Sequence, residues 1–365
     1  MMGNALLQEA LSAQGGISLQ DADVFCFSHT TLPDSLAAST SPGALLSRYL
    51  TREIFPQFAS PPYGEIEMRK LSDQKPVYVF HEDMKDLIVV GKLFGRRSIP
   101  LEEAWRYAQQ EYFNLKLLRE RFGMSSDACH VVAPLGKNKE LSALLVTEKA
   151  PGRLLDHYIE KAVCEQQSEQ LLEKLSYLAR FFGRLHRNSE TDKWVSPALP
   201  QLYLRKLLDS LSEGPLGPDD REGIEEYANL WWDKNGTLVA DREVIVHGDA
   251  TPTNFLFNDH EVIGIDLERM KWADRCWDLG FMAAELKHHF MWRMGDRWAA
   301  EPYIGHFLWE YAVNYGNTQF FYAFTHRIPV YMALGLLRIA RNSWLSEVYR
   351  KELITEAKRC LKYGL

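Results

Sequence analysis

Cysteine is scarce and unpatterned in this chain. Its five cysteines, Cys26, Cys129, Cys164, Cys276 and Cys360, are scattered and odd in number. No C-x-x-C pair or metal-type spacing occurs, which excludes a disulfide framework and a structural zinc site. Free thiols in a reducing compartment are expected. Long apolar runs are missing too. The longest near the C-terminus, Ile328 to Leu337, covers about ten residues and ends at Arg338, whereas a spanning helix needs about 20. The opening stretch, MMGNALLQEALSAQGG, has no basic segment and no long apolar core, so no secretory signal is read. These absences set the expectation of a cytoplasmic protein with no membrane partner. Positive charge is in deficit, with 42 Lys and Arg against 49 Asp and Glu and a net charge of −7. A general nucleic-acid binder needs a basic face, so no nucleic-acid partner is expected.

Hydrophobic residues make up 46% of the 365 positions. That is enough for a sizeable core, in one large domain or two lobes. The stretch that carries chemistry runs from Val244 to Gly280. Val244-Ile245-Val246 reads as a strand delivering His247-Gly248-Asp249, and Asn254 follows five residues after that aspartate. Phe255 to Phe257 reads as a second strand, Asn258-Asp259-His260 as a turn, and Val262 to Ile265 as a third strand ending on Asp266. Such a hairpin brings Asn254 and Asp266 together although twelve positions separate them. Asp249, Asn254 and Asp266 then face one cavity. Phosphoryl transfer suits this trio: one carboxylate orients a hydroxyl and takes its proton, while an amide oxygen and a second carboxylate hold Mg²⁺.

The pattern is a variant of the protein-kinase set H-R-D-L-x-x-x-N and D-F-G. Gly248 stands for the Arg, Asp266-Leu267-Glu268 stands for D-F-G, and Trp277-Asp278-Leu279 follows downstream. In this form the chain resembles the aminoglycoside phosphotransferase and choline kinase family over roughly residues 85 to 345. The resemblance implies an α+β, bilobal protein-kinase-like fold, with a small antiparallel-sheet N-lobe and a mostly helical C-lobe. It implies an ATP-dependent (GTP also compatible), Mg²⁺-dependent kinase of a small-molecule hydroxyl acceptor, with Asp249 as the catalytic residue and Asn254 and Asp266 as metal ligands. Glu268, Asp274 and His247 are assigned around them, as substrate contacts or supporting groups. Asp278 is expected to brace the loop.

Earlier segments fit the same frame. Residues 1–60 read as an N-terminal extension packed on the N-lobe, with an apolar helical face over Ala44 to Ile54. The N-lobe is placed at 61–147 and the C-lobe at 148–365. Glu65 to Leu71, Pro76 to Phe80 and Leu87 to Phe94 read as strands by their alternation and apolar content. Lys92 lies on the third of them, where the family uses a lysine against nucleotide phosphates. Leu101 to Phe122 is an amphipathic helix, Pro100 at its start and Gly123 after it. Its apolar stripe includes Glu111, a carboxylate costly to bury unpaired, so a salt bridge to Lys92 is expected. Leu141 to Val146 reads as a buried strand leading into Thr147-Glu148-Lys149-Ala150-Pro151-Gly152. By resemblance this is the hinge, with the Glu148 carbonyl and Ala150 amide pairing with adenine. Ser168 to His186 is a strong amphipathic helix, and His186 is read as structural. Residues 187–243 form a variable insertion with helix over Ile224 to Trp232, suited to selecting substrate.

Three features need weighing. His288-His289 are helical neighbours about 100° apart and chelate poorly. The aromatic-rich tail reads as helical core rather than as a cage for a quaternary ammonium. The connection Ser72-Asp73-Gln74-Lys75 has no glycine where the family places a phosphate-covering loop. It supports a second reading, a nucleotide-binding pseudokinase acting as a regulatory or interaction module.

Overall fold

The computed structural model describes residues 24–27, 42–71, 75–125, 128–235, 241–316 and 318–364. The chain divides into two units, one reaching to Tyr112 and including Pro134–Lys149, the other comprising Phe113–Ala133 and Ala150 onward.

In the first unit, helix α1 (Pro42–Tyr49) runs into a wider turn at Leu50–Ile54. Five strands follow it: β2 (Ile66–Lys70), β3 (Val77–Glu82), β4 (Leu87–Leu93), β6 (Pro134–Asn138) and β7 (Leu144–Glu148). With the earlier β1 (Val24–Phe27) they form one antiparallel sheet in the order β1-β2-β3-β4-β7-β6. Side chains of β3 alternate between half-buried and buried, as a strand with one core face should. Phe80 on β3 and Val89 on β4 share a core with Leu50, Ile54 and Phe55, so residues 42–57 cover the sheet. The rest of the extension, 1–23 and 28–41, lies outside the described residues, as do Ser72 to Gln74 of the glycine-free connection.

Helix α2 (Leu101–Arg121) matches its expected span. Ala104, Ala108, Leu115 and Leu118 are fully buried. The two alanines pack on Phe94, Ala143 and Leu145. One expected strand begins later than its apolar run suggests. Ser142 and Ala143 have φ of 56° and 52° and form a turn, and β7 starts at Leu144. Ala143 is buried without being in a strand, which is why composition alone misplaced the boundary. β6 carries Pro, Gly, Lys and Asn with no alternation, and the sequence reading missed it.

The second unit is mainly helical: α3 (Leu155–Cys164), α4 (Ser168–Asn188), α5 (Ala198–Ser212), α6 (Pro218–Asn235), α7 (Cys276–Met294), α8 (Glu301–Tyr315), α9 (Phe320–Thr325), α10 (Ile328–Ala340) and α11 (Glu347–Tyr363). The insertion is thus largely two helices, of which α5 was not foreseen. The stripe Leu171, Leu175, Leu178, Phe182 and Leu185 of α4 is fully buried, each such side chain contributing about 1.5–3 kcal/mol. The tail aromatics Phe307, Tyr311 and Phe324 are core, whereas Trp298, Trp309 and Tyr322 are exposed. Helix α7 is buried on almost every side, against α10. Two small sheets complete the unit: β5 (Cys129–Val131), β11 (Glu261–Gly264), β10 (Phe255–Asn258) and β8 (Arg153–Leu154) in one, β9 (Val244–Val246) with β12 (Lys271–Ala273) in the other. Among the described residues no helix is long and apolar enough to cross a membrane.

Gly280 is where α7 meets α10. A Cβ there would lie 2.3 Å from the Tyr331 Cβ and 3.0 Å from its carbonyl carbon. Gly280→Ala should therefore cost about 1–3 kcal/mol by forcing the helices apart, read as a lower denaturation midpoint. Burial also holds His186 and His288 below the ordinary histidine range and pulls His289 to about 3. Below about pH 6.5 the unfolded chain takes up protons that these folded histidines refuse. Stability should fall from that pH toward 5.5, with a slope that rises toward at most about 1.4 kcal/mol per pH unit per histidine, in denaturant titrations across that window.

Candidate active site

Strand β9 is apolar and fully buried, so it fixes the position at which His247 begins. Asp278, on the first turn of α7 and 0% exposed, then takes hold of the backbone. Its Oδ2 accepts from the His247 N–H at 2.7 Å and its Oδ1 from the Gly248 N–H at 3.0 Å. Gly248 has φ of 82°, and a Cβ there would sit 2.1 Å from the Arg269 carbonyl oxygen. Only glycine fits a left-handed backbone so close to another chain segment, which explains the residue in the position where protein kinases carry Arg. Asp278 Oδ2 also faces His186 Nε2 at 3.3 Å, while His186 Nδ1 faces the Tyr311 hydroxyl at 3.0 Å. Burial keeps His186 neutral, so Nε2 carries the proton and donates it to the aspartate. The structural role expected for His186 and the bracing role expected for Asp278 are what these contacts describe.

Asp249 emerges from this pinned turn with its side chain about one-fifth exposed. Its Oδ1 accepts from Arg338 Nη1, and Arg338 Nη2 donates to Glu285 Oε1 at 2.9 Å. Burial pushes the Glu285 carboxyl up, with Arg338 pulling the other way. Asn254 is 2% exposed, and its Nδ2 donates to the Asp249 carbonyl at 2.8 Å. That bond leaves the amide oxygen as the free acceptor end. In the hairpin, Phe255 lies opposite Gly264, and the Ile265 N–H donates to the Asn254 carbonyl at 3.0 Å. Asn254 and the residue before Asp266 are therefore hydrogen-bonded neighbours, as the strand-turn-strand pattern required.

Asp266 sits in the left-handed region, φ 63°, and Leu267–Arg269 form a single tight turn. Glu268 was expected beside Asp266 through strand alternation, but these residues are not in a strand. The turn brings them together instead, with carboxylate oxygens within 4.8 Å of each other. Asn114 donates to the Leu267 carbonyl at 2.7 Å and secures that turn. His247 is 0% exposed, and its Nε2–H donates to the Ile265 carbonyl at 2.9 Å. It supports the loop and is not placed to take a substrate proton.

Asp274 was read as a substrate contact or a supporting group, and its contacts are those of a supporting group: it is 3% exposed and fully engaged. Arg327 grips it with Nε at 2.8 Å and Nη2 at 3.0 Å, the Cys276 N–H donates to Oδ1 at 2.9 Å, and the Tyr331 hydroxyl donates to Oδ2 at 3.2 Å. Burial works against its charge, but Arg327 outweighs it and holds the carboxyl below the usual range. Asp274 starts α7 and braces the framework. Asp241 completes the network, bidentate to Arg275 at 2.8 and 2.9 Å.

In the first unit, Lys92 on β4 meets Glu111 on α2 at 2.7 Å. Both are buried, at 9% and 4% exposure, and the ammonium lies 4.7 Å from the Phe94 ring centre. The expected ion pair is formed. Glu148 ends β7 opposite Val89, and Ala150 opens the second unit. His288 bonds to the Tyr349 hydroxyl at 2.9 Å, a core contact.

The Phosphotransferase enzyme family matches residues 100–318, more than half of the chain. The chain belongs to this family. Solved members of its fold include a candidate fructosamine-3-kinase from Thermobifida fusca YX-ER1, 16% identical with a TM-score of 0.56 over 87% of this chain and 98% of that one. A choline/ethanolamine kinase family protein from Mesorhizobium loti is 13% identical with a TM-score of 0.54, covering 89% and 95%. APH(2")-IIa, in a ternary complex with streptomycin and ATP, is 15% identical with a TM-score of 0.52, covering 87% and 96%. No curated protein sequence gives a significant match. The expected α+β, protein-kinase-like fold is the one observed.

Two residues near Asp249 escaped the sequence reading. Arg338 and Lys271 lie in or after segments read as core or loop. The available signal for Arg338 was its place as the charged end of an apolar run. Asp278→Ala would strip the acceptor from two buried backbone N–H groups and leave His186 Nε2 unpaired. It should cost about 3–5 kcal/mol, seen as a matching fall in unfolding free energy.

Proposed function

We propose that the protein transfers the γ-phosphoryl group of ATP to a hydroxyl of a small molecule, in a Mg²⁺-dependent reaction. The observation that carries this reading is the pinned turn. Asp278 holds the backbone before Asp249, Asn254 holds the carbonyl of Asp249, and the residue before Asp266 is hydrogen-bonded to the Asn254 carbonyl. Phosphoryl transfer asks a protein for positioned charge more than for covalent chemistry, and these contacts supply positioning.

Arg338 holds Oδ1 of Asp249, which leaves Oδ2 to meet the acceptor hydroxyl. The acceptor oxygen forms its bond to phosphorus as the bond to the departing diphosphate breaks, and its proton passes to Asp249 Oδ2. The amide oxygen of Asn254 and the carboxylate of Asp266 are hard oxygen donors of the kind magnesium takes, and Glu268 lies close enough to Asp266 to join them. Bound Mg²⁺ neutralises charge on the nucleotide phosphates. Lys92, aimed by Glu111, adds a cation for the same phosphates, and the Glu148 carbonyl with the Ala150 amide pairs with adenine. A relative of the same fold is known bound to ATP together with streptomycin, which supports ATP as donor.

Asp249→Asn should keep Mg–ATP binding and lose transfer by about 10²–10⁴-fold, measured as single-turnover rates. Asp266→Ala should abolish Mg-dependent nucleotide binding in a calorimetric titration. Full turnover in the first variant, or undiminished binding in the second, would sink the assignment.

A further inference from the structure

Next to the aspartate turn, the second unit presents a surface that the transfer chemistry does not use. Lys271 begins β12 opposite Val246, and its ammonium lies 3.2 Å from the centre of the Trp277 ring. Among the described residues that ammonium makes no hydrogen bond and no ion pair, although it carries three donors. Burial pulls the Lys271 pKa down to about 8. Asp278 and Asp249 oppose that pull, and Arg269 adds to it. Trp277 itself is 2% exposed, and its indole N–H is buried without an acceptor. Two donors on one aromatic platform therefore both lack acceptors, which buried donors rarely do.

The adjoining ring is also served by a cation. The Arg338 guanidinium lies 5.5 Å from the Phe281 ring centre while it holds Asp249. Tyr203, from helix α5 of the insertion, packs at 5.1 Å on Trp277 and 6.1 Å on Phe281. A quaternary ammonium held by cation–π attraction would sit over an aromatic face free of like charge. Here the protein's own lysine and arginine already occupy such faces beside Asp249.

We propose that the acceptor is a hydroxyl compound bearing an oxyanion, a carboxylate or a phosphate, and that Lys271 receives that group. The inference rests on the phosphotransferase reading, because the bound oxyanion is what sets the hydroxyl against Asp249. Lys271 is thus a specificity-determining residue. It excludes amino alcohols and polyamines by charge and favours hydroxy acids or sugar phosphates.

The test separates a small-metabolite extract by ion exchange into anionic, neutral and cationic fractions and incubates each with the full-length protein, Mg²⁺ and γ-labelled ATP. Labelled product should form in the anionic fraction, and resolving it into carboxylate and phosphate compounds identifies the source of the oxyanion. With the product's parent compound, Lys271→Met should raise KM at least tenfold with a smaller change in kcat, and Lys271→Arg should restore most of the loss. Wild-type kcat/KM should fall above about pH 8 as Lys271 loses its proton, and the arginine variant should stay flat there. Product in the cationic or neutral fraction alone overturns the oxyanion site and leaves the phosphotransferase reading standing. An unchanged KM in Lys271→Met, or a loss of Mg–ATP affinity in its place, also overturns it. No product in any fraction overturns both.

Discussion

The aspartate at position 278 is the contact on which the site depends. A single buried carboxylate accepts two consecutive backbone N–H groups and a histidine proton. Backbone donors in a loop have no ladder to satisfy them, and unpaired they would be costly. By meeting them, Asp278 converts a loop into a rigid mount for Asp249. The helix that carries it is buried nearly all round, so the mount inherits the rigidity of the core. Gly248 permits this arrangement because no side chain could pass the Arg269 carbonyl.

Charge is buried around this mount in an organised way. Asp241, Asp274, Arg275 and Arg327 form one network with exposures of 1–5%. Removing a single member would strand the others, which makes such a network a demand on specificity more than a source of stability. It ties the start of α7 to the region just before α10 through Arg327, and α10 in turn carries Arg338 to Asp249. The buried network and the Asp249 carboxylate therefore share one scaffold, and Tyr203 links the insertion to it.

The segment from Val244 to Gly280 was legible because its contacts are local. A strand, a tight loop, a hairpin and a helix start bring Asp249, Asn254, Asp266 and Asp278 together over 30 positions. Local periodicity also revealed α2 and α4, and the cost of burying Glu111 pointed to Lys92 before any coordinates did. Glu268 came out beside Asp266 for a different reason from the one expected, a turn in place of a strand.

What the linear order of residues determined was the kind of chemistry and the elements that carry it, since these follow from spacing within hairpins and helices. What only the tertiary structure decided was which charges meet. Asp274 looked like a loop carboxylate and is buried in an ion network. Arg338 looked like the end of an apolar helix and holds Asp249 from 89 positions away. Lys271 and Trp277 are six residues apart, on a strand and a helix, and their stacking exists only once both elements are packed. Pairings of this sort depend on where packed elements place their side chains, and no local pattern encodes that.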